Sequence, residues 1–370
     1  VSAGDDGRGG ERAPTTPRRQ RPLLHAGLFL ATFLTTTAAG ALYVHGQMGG
    51  GLDEIRPIKD GLAYSVPLML ILLCHELGHY IVARRHGVDA SLPYFIPLPP
   101  SFGLGTMGAV IGMKNVTSDR KKLIDIGAAG PLAGLLVAIP VICYGLAHSK
   151  VEALVAGGQQ EGNSILYAFL KHAVKGGWLP DGHRDVFLHP TAWAGWAGLL
   201  VTMINLLPIG QLDGGHIATA YFGNRYNAFA RRLHRLLPIG AVAVFAWVLS
   251  VVHAEAGPGL DKTIAYSIAA GAALPWLVWS LLVTVVRRAS GGVNHPPVDD
   301  TPLPPSRKAL FWLMVVVFVA VFMPVPFRAT MAGAQPPSSP PQASSAWGRP
   351  GSAGPSPSRE GLGTRSGFPS

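Results

Sequence analysis

The stretch His75-Glu76-Leu77-Gly78-His79 lies inside an otherwise apolar run, Leu62 to Ala83, long enough to cross a bilayer. A run of that length in hydrocarbon must be helical, because only a helix satisfies its backbone N–H and C=O groups within the segment. On that helix the two histidines lie one turn apart on one face and can grip one zinc ion. Glu76 is then placed to take a proton from water that the metal polarises. Ionisable side chains at membrane depth cost several kcal/mol together unless paired, and a metal supplies that pairing. A histidine pair satisfied by neighbouring helices is the alternative, and it leaves Glu76 without a task.

Composition agrees with a membrane setting. Of 370 residues, 48% are hydrophobic and only 14% charged, against about 25% charged in soluble domains. The formal charge of +10 falls in short Lys/Arg clusters between apolar runs. No basic stripe interleaved with aromatics is present, so membrane topology accounts for the charge and no nucleic acid partner is expected.

The candidate spans are Leu23–Val44, Leu62–Ala83, Leu123–Ala147, Ala192–Leu207, Leu236–Val252, Ile264–Val286 and Ala309–Val325. The expected fold is an all-α polytopic membrane protein of six to seven transmembrane helices, the fourth being the shortest. Arg18, Arg19 and Arg21 precede the first run, as in a signal peptide, but the run is long and no small-residue cleavage site follows. It reads as a retained anchor. Basic residues precede span one (Arg8, Arg12, Arg18, Arg19, Arg21), separate spans two and three (Arg84, Arg85, Arg120, Lys121, Lys122), follow span four (Arg225, Arg231, Arg232, Arg235) and separate spans six and seven (Arg287, Arg288, Arg307, Lys308). Every second loop being basic places the N-terminus in the cytoplasm. Cys74 and Cys143 lie within apolar runs and read as buried small hydrophobes.

A tetrahedral catalytic zinc site needs a third protein ligand beside the histidines. Asp213 is the candidate, in Asn205-Leu206-Leu207-Pro208-Ile209-Gly210-Gln211-Leu212-Asp213-Gly214-Gly215. That stretch follows span four, which ends on the same cytoplasmic side as span two. His216, three residues on, is a candidate outer-shell group; His183 and His189 are also available, while His86 and His253 sit at span ends and read as solvated or interfacial residues.

H-E-L-G-H followed by N-x-x-P-x-x-x-L-D-G-G after a later span resembles the site-2 protease family of intramembrane zinc metalloproteases. Gly127-Ala128-Ala129-Gly130-Pro131-Leu132-Ala133-Gly134 resembles that family's glycine-rich core span. The likeness covers about residues 62–221. It implies Zn2+ held by His75, His79 and Asp213, Glu76 as catalytic base, and Asn205 near the reacting centre as an oxyanion donor. It also implies a single-pass or membrane-anchored protein substrate in the lipid bilayer, cut in or near its transmembrane segment toward the cytoplasmic leaflet. The connection from His148 to Pro190 is too short for the PDZ domain that many members carry, so the PDZ-lacking branch is the better match. The alternative is a non-proteolytic zinc-binding membrane protein, a transporter or an inactive protease-like chaperone.

From Ser91 to Lys114 the chain is apolar, yet four prolines rule out a regular helix at its start, and Gly103, Gly105, Gly108 and Gly112 weaken one thereafter. A re-entrant loop is expected, with an extended segment from Thr106 to Met113 whose edge could take an extended substrate; a loop that merely shields the site is the other reading. The expected organisation is a disordered segment at 1–20, the first span and its loop at 21–61, a metalloprotease core at 62–221, C-terminal spans at 222–330 and a disordered Pro/Ser-rich tail at 331–370.

Overall fold

The computed structural model describes residues 21–48, 58–113, 117–154, 159–256, 261–289 and 295–329. The expected disordered segments at 1–20 and 331–370 lie outside the described residues. Among the described residues the chain is mostly helical: α1 (Pro22–Met48), α2 (Ile58–Arg85), α3 (Arg120–His148), α4 (Ile165–Lys175), α5 (Pro190–Asn205), α6 (Asp213–Phe222), α7 (Tyr226–Ala256), α8 (Lys262–Ala289) and α9 (Pro305–Val321).

Five stretches are helical, long and apolar enough to cross a membrane: Pro22–Tyr43, Lys59–Arg85, Arg120–His148, Asp213–Ala254 and Lys262–Leu281. The fourth takes in α6, a 3-10 turn and α7. The fourth and seventh expected spans fold as helices of 16 and 17 residues, α5 and α9. Helix α9 stops at Val321 rather than Val325 because Pro324 and Pro326 follow, and proline cannot continue a helix. Large apolar side chains point outward on these helices, among them Leu34, Leu136, Val242, Leu281 and Val316. So broad an apolar exterior suits lipid rather than water.

Helices α2, α3 and α5 form the centre. Small residues let them close on one another: a Cβ at Gly195 of α5 would lie 2.4 Å from Ile142, and one at Gly145 of α3 would lie 2.2 Å from the Ala192 amide. Trp196, Leu199, Leu68, Ile71 and Ile124 fill the space between these helices and are buried. Helices α7 and α8 pack through a separate seam of Val248, Val252, Ala265, Ala269 and Ala272.

The proline-rich stretch after α2 folds as a hairpin of β1 (Tyr94–Pro97) and β2 (Thr106–Val110), antiparallel with an irregular register between Phe95 and Pro97. Strand β2 falls within the expected extended segment; β1 was not anticipated beside its prolines. Pro97 sits at the strand's last position, where its missing N–H costs no interior ladder bond. The hairpin lies along α1. His25 Nδ1 is 3.0 Å from the Pro93 carbonyl, Phe29 meets Phe95 edge to face, and the Thr35 hydroxyl donates to the Gly105 carbonyl at 2.7 Å. Gly105 has φ +72°, and a Cβ there would lie 2.5 Å from the Thr35 carbonyl, so glycine is required at this crossing.

The α3–α5 connection carries structure the sequence did not announce: β3 (Lys150–Ala153), β4 (Gln159–Glu161), α4 and β5 (Arg184–Phe187). Strand β3 pairs with β5, while β4 pairs antiparallel with β6 (Phe327–Ala329), which follows α9. Among the described residues, two further two-stranded sheets, β3 with β5 and β4 with β6, amend the expectation of an all-α protein with one extended segment after α2.

Candidate metal centre

Three side chains from two distant helices meet where α2, α3 and α6 touch. His75 and His79 lie on one face of α2 and are 3% and 5% exposed. Their Nε2 atoms are 3.2 Å apart. Asp213, the first residue of α6, sets Oδ2 at 3.2 Å from His75 Nε2 and Oδ1 at 3.2 Å from His79 Nε2. Four tetrahedral ligands at zinc–nitrogen and zinc–oxygen distances of about 2.0–2.1 Å stand about 3.3 Å from one another, so the spacing of the two Nε2 atoms suits a zinc ion, and each has a different Asp213 oxygen at a like distance. Among the described residues these three are the one group of His, Cys, Asp or Glu side chains close enough to hold a metal.

The tautomer of His79 fits as well. Its Nδ1–H donates to the Ile126 carbonyl at 2.7 Å, which leaves the Nε2 lone pair facing the carboxylate of Asp213. A ring nitrogen and a carboxylate oxygen this close in a buried site need a positive charge between them, a metal ion or a proton on the ring.

Local sequence explains how each ligand arrives. Helix α3 must pass directly across the imidazoles: a Cβ on Gly130 would lie 2.0 Å from His79 Nε2, and one on Gly134 would lie 3.2 Å from His75 Nδ1. Asp213 reaches the two histidines because the chain doubles back after α5. Gly210 has φ +58° in that turn. The first turn of α6 then lies so close to it that a Cβ on Gly214 or Gly215 would sit 2.1 or 2.3 Å from the Leu206 or Gly210 carbonyl. The glycines after Asp213 are thus a steric requirement of that carboxylate's own position.

Glu76 follows His75 on α2 and is 4% exposed. Asn205, the last residue of α5, brings Nδ2 to 3.3 Å from His75 Nε2. Four of the five residues singled out from the sequence, His75, His79, Asp213 and Asn205, therefore meet at one place, and Glu76 adjoins His75 on α2. His216 pairs with His295, Nδ1 to Nε2 at 2.9 Å. His86 pairs with Asp125 at 3.2 Å, His253 Nδ1 contacts the Leu249 carbonyl of its own helix, and His189 caps α5. Cys74 and Cys143 are free thiols. Sequence reasoning missed His295, which sits in a proline-rich linker with no periodicity to flag it.

Comparison with known proteins bears on what this geometry is for. Residues 63–247 match peptidase family M50, which takes in α5, α6 and nearly all of α2. The chain belongs to peptidase family M50. Two curated relatives are named "Probable zinc metalloprotease EGY2, chloroplastic", from Arabidopsis thaliana and Oryza sativa subsp. indica. Each is 32% identical over 212 residues, 56% of this chain and 37% or 38% of the relative. A third, "Probable zinc metalloprotease EGY1, chloroplastic" from Arabidopsis thaliana, is 30% identical over 288 residues, 74% of this chain and 45% of its own length. This M50 chain thus spans less than half the length of these relatives. No solved structure matches it.

Proposed function

We propose that this M50 chain is an intramembrane zinc metalloprotease that hydrolyses peptide bonds in or near transmembrane segments of membrane-protein substrates. The observation that carries the reading is the meeting of His75 Nε2, His79 Nε2 and the Asp213 carboxylate: the two nitrogens are 3.2 Å apart, and each lies 3.2 Å from a different carboxylate oxygen. Family membership and the zinc metalloprotease names of the relatives point the same way.

In this reading His75, His79 and Asp213 hold the ion. Zinc, when bound, supplies a Lewis acid that makes water ionise near neutral pH and polarises a carbonyl. The Glu76 carboxylate accepts the proton from the attacking water and returns it to the leaving amine nitrogen. Asn205 Nδ2 donates to the carbonyl oxygen as negative charge develops there. Burial excludes competing water and keeps each hydrogen bond strong.

A transmembrane substrate hides its peptide groups in its own helix, so it must present an extended stretch. The β1–β2 hairpin pairs two strands, and the side of β2 turned from β1 is the edge along which such a stretch would pair. We read the hairpin as re-entrant, because it follows α1 from His25 near the helix start to Thr35 at its middle. Substrates with Gly, Pro or Asn near the cut should unwind more readily and be preferred.

The test uses purified protein in liposomes with a membrane-embedded reporter. Wild type is expected to bind one zinc and cleave. Asp213→Ala should lose the zinc, and Glu76→Gln should keep it while cleavage falls by at least about a hundredfold. Equal cleavage by Glu76→Gln and wild type would overturn the base role and favour a zinc-binding protein that is not a protease.

A further inference from the structure

Between α8 and α9 the residues from His295 to Pro304 lie as an extended strap across α6, the start of α7 and the start of α3. Two asparagines clamp its backbone. The Asn224 side chain accepts from the Val298 N–H at 3.0 Å and donates to its carbonyl at 3.1 Å. Asn227 does the same for His295, at 2.9 and 3.2 Å. The Asp299 N–H donates to the Ser118 carbonyl at 2.9 Å. Arg120 then ties strap to helix: Nη1 donates to the Thr301 carbonyl at 3.2 Å, while Nε and Nη2 each donate at 2.7 Å to the Ala220 and Tyr221 carbonyls that end α6.

This clamp delivers a buried ring, His295, onto another buried ring, His216. Their tautomers follow from the acceptors around them. His295 Nδ1 lies 2.8 Å from the Pro296 carbonyl, which can only accept, so Nδ1 carries the hydrogen. Burial pushes the His295 imidazole below its usual pKa, so the ring is neutral and its Nε2 offers a lone pair. His216 Nδ1 must therefore donate to it, at 2.9 Å. His216 stands one turn beyond Asp213 on the same helix. The two are wedged together against α3, since a Cβ on Gly127 would touch His216, Ile217 and the Asp213 carbonyl at 3.1–3.4 Å. Helix α6 has ten residues and no side-chain cap at Leu212, so contacts of this kind are what hold its first turn.

We propose that His295 is a positioning residue for the metal centre: acting through His216, the strap fixes the first turn of α6 and with it the Asp213 carboxylate against the imidazoles of α2. The inference rests on the reading of His75, His79 and Asp213 as the zinc site.

The test measures zinc affinity by competition with a chromophoric chelator on the full chain in detergent, together with kcat and KM on the reporter. Replacing groups that orient metal ligands costs about 10–100-fold in metal affinity, and His295→Leu should weaken zinc binding by about 10-fold, with kcat lowered and KM unchanged. His295→Gln, whose amide oxygen can still accept from His216, should recover most of both. Wild-type zinc affinity in His295→Leu, or a Gln variant as poor as Leu, overturns the inference alone. If His295→Leu fails to fold, Asn227→Ala takes its place, since it releases the strap's backbone and leaves both rings; it should weaken zinc in the same direction, and an unchanged affinity overturns the inference. A His75→Ala variant that binds zinc like wild type overturns the metal reading and this inference with it.

Discussion

Gly130 stands where any side chain would strike the His79 ring, since its Cβ would lie 2.0 Å from His79 Nε2. Gly130→Ala is therefore expected to displace that imidazole and to weaken zinc binding by about 10-fold or more, with the helical circular dichroism unchanged. Gly134→Ala, whose Cβ would meet His75 Nδ1 at 3.2 Å, should cost less. Chelator competition on the two variants checks the order. At this scale much of the candidate site was legible. Motif spacing put the histidines on one helix face, and a turn rich in glycine marked the carboxylate. The exact contact of Gly130 with the ring was not legible, because a glycine run signals close helix packing without saying which side chain it admits. His295 was hidden for a different reason: it meets His216 only because Asn224 and Asn227 grip the backbone of a remote linker.

Among the elements, the long helices could be read from length and hydropathy, since the bilayer demands both. The α3–α5 connection could not, because strands of three or four residues carry too few side chains to show a period. Its stability rests on an ion cluster. Lys171, fully buried on α4, reaches Glu161 of β4 and Asp185 of β5 at 3.2 Å each, and the Tyr167 hydroxyl donates to Glu161. Lys171→Met leaves two buried carboxylates without their cation, and removing one partner of a buried pair costs about 3–5 kcal/mol. Lowered thermal stability of the purified variant is the readout. Burial raises the Glu161 pKa above its ordinary 4.5, outweighing the attraction of Lys171, and Asp185 raises it further. The folded state therefore holds a proton that the unfolded chain has released at pH values between 4.5 and the raised pKa. This contribution is present at low pH and is lost as pH rises through that window. Wild type should lose more stability than Glu161→Gln when melting is compared at pH 5 and pH 8.

Across the whole molecule, the basic loops and the helix directions agree on two ends. One end carries the α2–α3 connection, Arg120 and the strap; the other carries the α3–α5 connection and β6. With Cys74 and Cys143 replaced by serine, single cysteines in place of Arg85 and Val151 should be labelled by an impermeant reagent from opposite faces of sealed vesicles, with position 151 on the side away from the basic loops. Labelling of both from one face would sink the orientation. The pairing of β4 with β6 adds a constraint in time. Glu161 finds Phe327 only after the whole stretch between them, α9 included, has been made. On the ribosome, that small sheet must wait open until α4 to α9 have all been made, so its closure reports that every intervening helix has left the ribosome.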